Sequence, residues 1–374
     1  MKKSQWIMGL IVLAALVALA LWARTRVHFD FEVFRAQVAE ADWLRIVMAI
    51  GCIYLGFVFR SFRWSRLVRH QLKISPLTLV GTQVIGFTAV ALIGRVADPV
   101  RPYLVAKKTG LPVSSQIAVY IVERLFDAGS MALIFSVAMI WVPGEVVLNA
   151  TAHSGPIARL APHHQLLALF VARYGGLVLT LLGTLFLFAV RLAGDTVAAL
   201  FERCFGLISK NLGHSVAHKI RVFHSGLDTM RSFGDFAAVA AVSVGMWLVI
   251  TCAYFETCKA FVASPELTGI TASQCVLLMV ASGAASAIQL PVLGWFSQVG
   301  VVAVAIGGIL HAAPEAATAC AATLLLVTFL GVVPVGLIWA QFEHVSLRKV
   351  THESEDAAEE QDASAEQASA TLAP

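Results

Sequence analysis

The sequence predicts an all-α polytopic integral membrane protein, a helix bundle with six to eight transmembrane helices and one or two re-entrant segments. Of its 374 residues, 58% are hydrophobic and only 13% are charged, whereas soluble domains carry roughly 25% charged residues. The mean hydropathy is +0.79. Apolar stretches that approach the roughly 20 residues needed to cross a bilayer as a helix recur along the chain.

Six segments are apolar and long enough to be predicted as spans. They are residues 6–23, 43–59, 117–142, 166–190, 236–255 and 316–342. The first has a competing interpretation as a cleaved signal peptide, because Ala18-Leu19-Ala20 resembles a cleavage site. Its uncharged length exceeds that of a usual signal segment, which favours an uncleaved helix.

A Gly- and Thr-rich apolar segment, residues 77–93, is predicted to enter the membrane and return. Five basic residues and no acidic residue lie between 60 and 73, and the positive-inside rule places such a stretch in the cytoplasm. If 77–112 returns to the side it came from, its basic residues and those of 191–235 are cytoplasmic as well. Broken backbone at that depth must be covered by protein or line a cavity, so it indicates a binding site.

A second interrupted segment covers residues 270–310. No formal charge occurs between Glu266 and Glu315, which leaves room for two crossings or for a re-entrant pair that turns near Pro291 and Gly294. Entry here would be from the outside. Two interrupted segments that insert from opposite faces resemble an inverted-repeat transporter plan.

Residues 1–345 are predicted to form one transmembrane domain, and 346–374 an acidic, disordered cytoplasmic tail. From residue 350 onward the chain has seven acidic residues and no Lys or Arg, so it cannot bury enough apolar surface to fold. The expected location is the inner (plasma) membrane, with many passes and both termini in the cytoplasm. The six cysteines are scattered without metal-like spacing, and neither a metal nor any other cofactor is predicted.

The first candidate site contains Arg95 and Arg101. Arginine presents a planar fork of donors that matches phosphate oxygens. Pro99 and Pro102 flank Arg101 and are expected to hold the backbone extended. The two arginines are therefore candidates for binding an anionic headgroup. The alternative is a cytoplasmic loop that anchors the topology.

The second candidate site is Glu123-Arg124 with Asp127, on a predicted long helix. The two acids are four residues apart and share a face, and Arg124 can pair with Asp127 three residues later. Ionisable residues at membrane depth are expensive and often functional. Two interpretations stay open: an ion-pair cluster that locks helices together, or a gate or proton-linked switch. In a buried cluster, Arg124 is expected to compensate the two acids.

The third candidate site surrounds the break at Pro291 and Gly294. Gln289, Ser297 and Gln298 would line a polar path there. The alternative is a tight turn between two helices.

Two basic stretches, residues 60–75 and 201–233, are predicted to be surface helices. In the first, basic side chains would point toward lipid headgroups. The alternative for that stretch is an ordinary juxtamembrane segment whose long side chains reach the interface.

These elements, in this order, resemble the lysylphosphatidylglycerol synthase transmembrane region, also called the flippase-like domain family. The resemblance rests on Arg60-Ser61-Phe62-Arg63-Trp64, the Gly/Thr-rich segment, Pro99-Val100-Arg101, Glu123-Arg124-x-x-Asp127 and Pro291…Gly294…Ser297-Gln298. It covers most of residues 1–345. It implies the membrane module alone, without an aminoacyl-transferase domain.

The resemblance and the polar sites together lead us to expect movement of an anionic or polyprenyl-phosphate-linked lipid between leaflets. Arg95 and Arg101 would hold the phosphate, while Glu123, Arg124 and Asp127 would set the charge of the cavity and its gate. The expected partners are that lipid and an envelope glycosyltransferase or lipid synthase, but no nucleic acid. Nucleotide-binding and hydrolase motifs are not found in the sequence, and passive reorientation does not need them.

Two alternatives to transport stay open. The protein would be a non-transporting membrane partner of a glycosyltransferase or lipid synthase, or a membrane-embedded transferase that uses Glu123 or Asp127 as a base.

Overall fold

The computed structural model describes residues 30–140, 162–206, 233–287 and 293–343, together with residue 345 and a few positions between 209 and 220. All regular structure in these ranges is helical. The all-α class is therefore confirmed. The predicted first span at 6–23 and the predicted tail at 346–374 lie outside the described residues.

The described helices follow one another with short connections. In chain order they are α1 (Phe31–Ala39), α2 (Trp43–Val68), α3 (Pro76–Ile93), α4 (Val100–Thr109), α5 (Val113–Ile140), α6 (Pro162–Gly206), α7 (Phe233–Lys259), α8 (Pro265–Thr268), α9 (Ala272–Ala287), α10 (Leu293–Leu310), α11 (Pro314–Leu325) and α12 (Val333–Phe342). A 3-10 turn over Arg95–Ala97 separates α3 from α4, and a π-helical segment, Leu326–Leu330, joins α11 to α12.

Four of the described helical stretches are long and apolar enough to cross a membrane. They are Trp43–Val68, Pro76–Ile93, Gly234–Lys259 and Pro314–Phe342. Two further helices, α5 with 28 residues and α6 with 45 residues, contain most of the predicted span 117–142 and the whole of 166–190. The chain is thus a polytopic membrane helix bundle.

One end of the bundle is rich in basic side chains, and we call it the basic end. Here α2 ends beside the start of α7, where Arg69 pairs with Asp235 at 2.8 Å. The end of α4 meets the end of α12, where Lys108 pairs with Glu343 at 2.5 Å. The basic residues at this end are Arg66, Arg69, Lys73, Lys107 and Lys108.

The opposite end, the far end, is acidic on balance, with Asp30, Glu32, Glu40, Asp42, Glu256, Glu266 and Glu315 against Arg35, Arg45 and Lys259. Arg45 at the start of α2 pairs with Glu256 near the end of α7 at 2.7 Å. The backbone N–H of Asp30 donates to Glu315 at 3.1 Å. The antiparallel helices α2 and α7 therefore run the full length between the two ends, with an ion pair at each end.

Helices α3 and α4 form a helical hairpin with both outer ends at the basic end. Gly94, at the break, has φ of 92°, a conformation that glycine adopts without steric cost. Helix α4 then packs back against α3 so closely that a Cβ on Gly86 would meet Cγ of Arg101. This turn agrees with the predicted break, and its entry from the cytoplasmic face stays a prediction.

Helices α9 and α10 form a second hairpin with both outer ends at the far end. Near its base, the side chain of Gln274 donates to the carbonyl of Ile309 at 3.4 Å. Ser273 donates to the carbonyl of Ala138, close to the end of α5, at 3.1 Å. The described parts of the chain therefore hold two hairpins with their bases at opposite ends of the bundle.

The tips of the two hairpins touch. The guanidinium of Arg95 donates to the backbone carbonyl of Ser286 at 3.1 Å and to its hydroxyl at 3.3 Å. Trp295 of the second hairpin donates to the carbonyl of Ala91 in the first at 3.1 Å. Two interrupted segments that approach each other from opposite ends match the plan the sequence suggested.

The topology gives a first testable prediction. In a background without the native cysteines, Lys108→Cys and Ser209→Cys should react with a membrane-impermeant maleimide only from the cytoplasmic side. Glu266→Cys, exposed at the far end, should react only from outside, because the basic residues concentrate at the end that holds Lys108. Ser154→Cys, in a stretch outside the described residues, should behave like Glu266→Cys. External labelling at position 108 would exclude the re-entrant arrangement.

Candidate functional site

Six charged side chains from three helices meet in the interior beside the first hairpin, and we call them the arginine cluster. They are Arg60 and Arg63 on α2, Arg101 on α4, and Glu123, Arg124 and Asp127 on α5. Side chains three and four residues apart share one face of a helix. The arginine pair on α2 can therefore face the pair of acids on α5.

Arg63 stands at the centre of the arginine cluster and is fully buried. One of its terminal nitrogens lies 2.5 Å from Glu123, and the other lies 2.6 Å from Asp127. It also donates to the hydroxyl of Ser243 on α7 at 3.0 Å. Charge-assisted hydrogen bonds of this length are the strongest of their kind in proteins. Arg63 therefore holds α2, α5 and α7 together.

Arg101 is 1% exposed, but its polar contacts are longer. It lies 3.4 Å from Glu123 and 3.4 Å from the amide oxygen of Gln83. Its guanidinium carbon lies 4.7 Å from the ring centre of Phe87 and 5.1 Å from that of Tyr120. Aromatic faces attract guanidinium groups, so ring contacts supply much of what holds Arg101 in place.

The remaining two arginines lie at the edge of the arginine cluster. Arg124 lies 3.0 Å from Asp127 and 3.2 Å from Glu123, and its side chain is 35% exposed. The predicted pairing of Arg124 with Asp127 is present. Arg60 approaches Glu123 at 3.3 Å and Asp127 at 3.6 Å.

The arginine cluster carries an excess of positive charge. Four guanidinium groups face two carboxylates within ion-pair distance, and four minus two leaves a net charge of +2. Among the described residues there is also an excess of buried donors. In and around the cluster, the nitrogen donors without an acceptor are Nε of Arg63, Nε of Arg124, Nε2 of Gln83 and Nε2 of Gln116. One acceptor, Oδ2 of Asp127, also makes no hydrogen bond, although it lies 3.0 Å from Arg124.

The two glutamine side chains are oriented by their neighbours. The oxygen of Gln83 accepts from Arg101, and the oxygen of Gln116 accepts from the indole N–H of Trp64 at 2.9 Å. Both amide NH₂ groups are therefore the parts left without an acceptor. An environment with spare buried donors and net positive charge is chemically suited to an anion that brings several acceptor oxygens.

The structure corrects the expected conformation around Arg101. Pro99 and Pro102 do not hold the backbone extended, because Pro99 is the N-cap of α4 and Pro102 lies in its first turn. Proline is tolerated in the first turn of a helix, where its missing N–H would have no partner in the helix. Arg101 is therefore a helical residue.

The prediction of a surface helix over residues 60–75 is wrong for its first half. Helix α2 continues to Val68, and Arg60 and Arg63 turn inward to the acids on α5. Arg66 and Arg69 are exposed, as expected. Removing Arg124 was expected to leave the acids uncompensated, but Arg63 makes the shortest contacts with both, at 2.5 and 2.6 Å.

The other predicted site residues lie apart from the arginine cluster. Arg95 is 44% exposed at the hairpin tip and also approaches Asp98 at 3.8 Å. Ser297 bonds within its own helix, to the carbonyl of Gly294 at 3.1 Å. Gln298 is buried, and its side-chain oxygen has no donor among the described residues. Gln289 lies outside the described residues.

In the described part of the chain, no group of three or more His, Cys, Asp or Glu residues is placed to hold a metal ion. The chemistry of the arginine cluster is instead that of fixed guanidinium groups beside aromatic rings. Guanidinium groups present planar sets of donors that match the oxygens of anions.

A protein-family model described as "Lysylphosphatidylglycerol synthase TM region" matches residues 6–336 of the chain. The chain belongs to this family. The match confirms the resemblance that the sequence motifs indicated, and it includes both hairpins and every member of the arginine cluster. Membership of the family identifies a lipid-related membrane domain of the flippase-like type. No curated protein and no solved structure matches the chain.

Proposed function

We propose that this protein moves an anionic lipid, either a phospholipid or a polyprenyl-phosphate-linked lipid, between the leaflets of the inner membrane. The observation that carries the proposal is the excess of buried donors and positive charge in the arginine cluster. A buried charge without a partner is costly, and a phosphate group would supply the acceptors that the described side chains lack. The planar guanidinium fork matches phosphate oxygens.

The contacts of the arginines suggest a different role for each of them. Arg63, with carboxylate contacts of 2.5 and 2.6 Å, would hold the bundle together. Arg101, at 3.4 Å from Glu123 and stacked on aromatic rings, would exchange its carboxylate for a lipid phosphate at a smaller loss. Arg101 is therefore the proposed headgroup-binding residue.

The first hairpin would be the moving part. Arg101 lies on α4 within that hairpin, whereas Arg63 and the two acids lie on α2 and α5. Displacing the hairpin would separate Arg101 from Glu123 and leave the pairs of Arg63 in place. The contact between Arg95 and Ser286 at the hairpin tips would couple this movement to the second hairpin.

Lipid reorientation in vesicles that contain only this protein tests the proposal. Fluorescent phosphatidylglycerol in both leaflets is bleached from outside, and the protected fraction reports movement. We expect protein-dependent bleaching beyond the outer-leaflet fraction, faster for phosphatidylglycerol than for phosphatidylcholine, because the arginine cluster prefers anions.

Rates equal to those of protein-free vesicles, obtained with protein that unfolds cooperatively on heating, would overturn the proposal. Reorientation that appears only when a glycosyltransferase or lipid synthase is added would favour the partner role. A new lipid product formed from labelled lipid would favour a transferase.

A further inference from the structure

A narrow groove of about 290 Å³ lies between α5, α6 and α7, and we call it the apolar groove. Its walls are formed by residues within 125–133 on α5, 180–186 on α6 and 236–244 on α7. Most of these side chains are apolar. The ring centres of Phe126 and Phe236 lie 5.2 Å apart within the lining, with the two rings tilted by 53°.

The apolar groove lies directly beside the exposed member of the arginine cluster. Leu125 and Ala128 line the groove. Arg124 directly precedes Leu125 and lies about one helical turn before Ala128. Arg124 is 35% exposed, whereas the side chains of the other three arginines are 9% exposed or less. A partly exposed charged side chain thus lies on the same helix as the start of the groove lining.

The apolar groove runs along the axis of the bundle. On α7 the groove begins at Phe236, next to Asp235, which pairs with Arg69 at the basic end. From there it runs toward the far end. Helical side chains tilt toward the N-terminus of their helix, so Arg124 on α5 points toward the basic end, where its guanidinium lies 5.1 Å from the ring centre of Tyr120.

The length of the apolar groove is close to that of a lipid hydrocarbon chain. At 1.5 Å per residue, the stretch 125–133 extends about 12 Å along α5. One leaflet contributes about half of a hydrocarbon core of roughly 30 Å. The groove therefore has room for most of one hydrocarbon chain. On α5 it begins about 18 Å from Val113 at the basic end, so it lies at the middle depth of the bundle.

We propose that the apolar groove holds one hydrocarbon chain of an anionic lipid, with the lipid phosphate at Arg124. This inference rests on the proposed function and names a binding site of its substrate. Charge complementarity selects the occupant, because the cluster beside the groove carries a net charge of +2. Arg124 receives the phosphate at the surface, and Arg101 lies deeper in the same cluster.

Two glycines allow a sharp test. Gly129 and Gly183 both line the apolar groove, and a Cβ on either would meet no atom within 4 Å. The backbone therefore has room for the Cβ of a side chain at both positions. Leucine there should fill part of the groove, and it also raises helix propensity. Gly51 on α2 is equally open but lies elsewhere, so Gly51→Leu is the matched control.

The probe is phosphatidylglycerol with a photoactivatable diazirine in its acyl chain, reconstituted with the full-length protein. We expect crosslinked peptides to concentrate in 125–133, 180–186 and 236–244. The Gly129→Leu/Gly183→Leu variant should lose this concentration, and Gly51→Leu should retain it. Arg124→Gln, which leaves the groove open, should reduce the preference for phosphatidylglycerol over phosphatidylcholine by about tenfold.

Labelling that is spread evenly over lipid-facing helices would overturn the proposed lipid site. Labelling that neither the double leucine variant nor Arg124→Gln changes would overturn it too. If the double variant does not fold, Arg124→Gln decides the question by itself. Selective labelling without any lipid reorientation would contradict the proposed transport function. The groove would then be the lipid site of a non-transporting protein. Reorientation without selective labelling would overturn the groove alone.

Discussion

Replacing Arg63 by alanine should destabilise the protein more than any other single change in the arginine cluster, by roughly 3–5 kcal/mol. The reason is geometric, because Arg63 alone makes contacts of 2.5 and 2.6 Å with the two buried acids, and it also binds Ser243. Its removal leaves Glu123 and Asp127 with longer contacts only. The measurement is the thermal unfolding midpoint of purified protein, together with the yield of monodisperse material.

Three comparisons make this test specific. Arg66→Ala, on the same helix but exposed, should have little effect, since exposed charges contribute less than about 1 kcal/mol. Arg124→Ala should fall between the two, because its side chain is 35% exposed and three arginines would still face the acids. Arg63→Lys keeps the charge but loses the two-pronged contact, and we expect partial stability. Equal midpoints for Arg63→Ala and Arg66→Ala would show that water already solvates the arginine cluster.

Replacing Arg101 by alanine should reduce lipid reorientation by about tenfold or more, the expected effect of losing a hydrogen bond to a charged group. The fold should persist, because Arg101 has the longest contact with Glu123 and three other arginines also contact that acid. Arg101→Lys should lie between wild type and alanine, since lysine lacks the planar fork.

Two measurements check this prediction: the amount of co-purified anionic lipid and the rate of reorientation in vesicles. Arg66→Ala is the control for general loss of positive charge, and Arg69→Ala should likewise matter less than Arg101→Ala. If Arg101→Ala matches wild type in both measurements, then Arg101 only completes the internal ion-pair network, and the headgroup binds elsewhere.

The helices and the hairpins could be predicted from the sequence because their signals are local. Apolar length indicates a membrane helix, and the breaks near Gly94 and before Gly294 carry turn-forming residues. The spacing of Glu123, Arg124 and Asp127 also indicated that Arg124 can pair with Asp127, and the two lie 3.0 Å apart. Each of these conclusions depends on residues that are neighbours in the chain.

The composition of the arginine cluster could not be predicted, because it depends on contacts between distant residues. Arg60 and Arg63 occur in a run of basic residues, and composition alone assigns such a run to the membrane surface. The distinguishing signal was their three-residue spacing within a helix, which complements the four-residue spacing of the acids. Arg95 was wrongly grouped with Arg101, because the 3-10 turn between them directs one to the hairpin tip and the other to the interior.

The distance along the chain between the partners in the arginine cluster has a consequence for biogenesis. Arg63 precedes Glu123 by 60 residues, so α2 is synthesised and presented to the insertion machinery well before its acids exist. An arginine at the centre of an inserting helix costs about 2.5–3.5 kcal/mol. Arg63 lies five residues before the end of α2 at Val68. From there its long side chain can reach the membrane interface before α5 has been synthesised. We therefore expect Arg63 to reach its final buried position only when α5 is in place, so that α2 and α5 complete their assembly together.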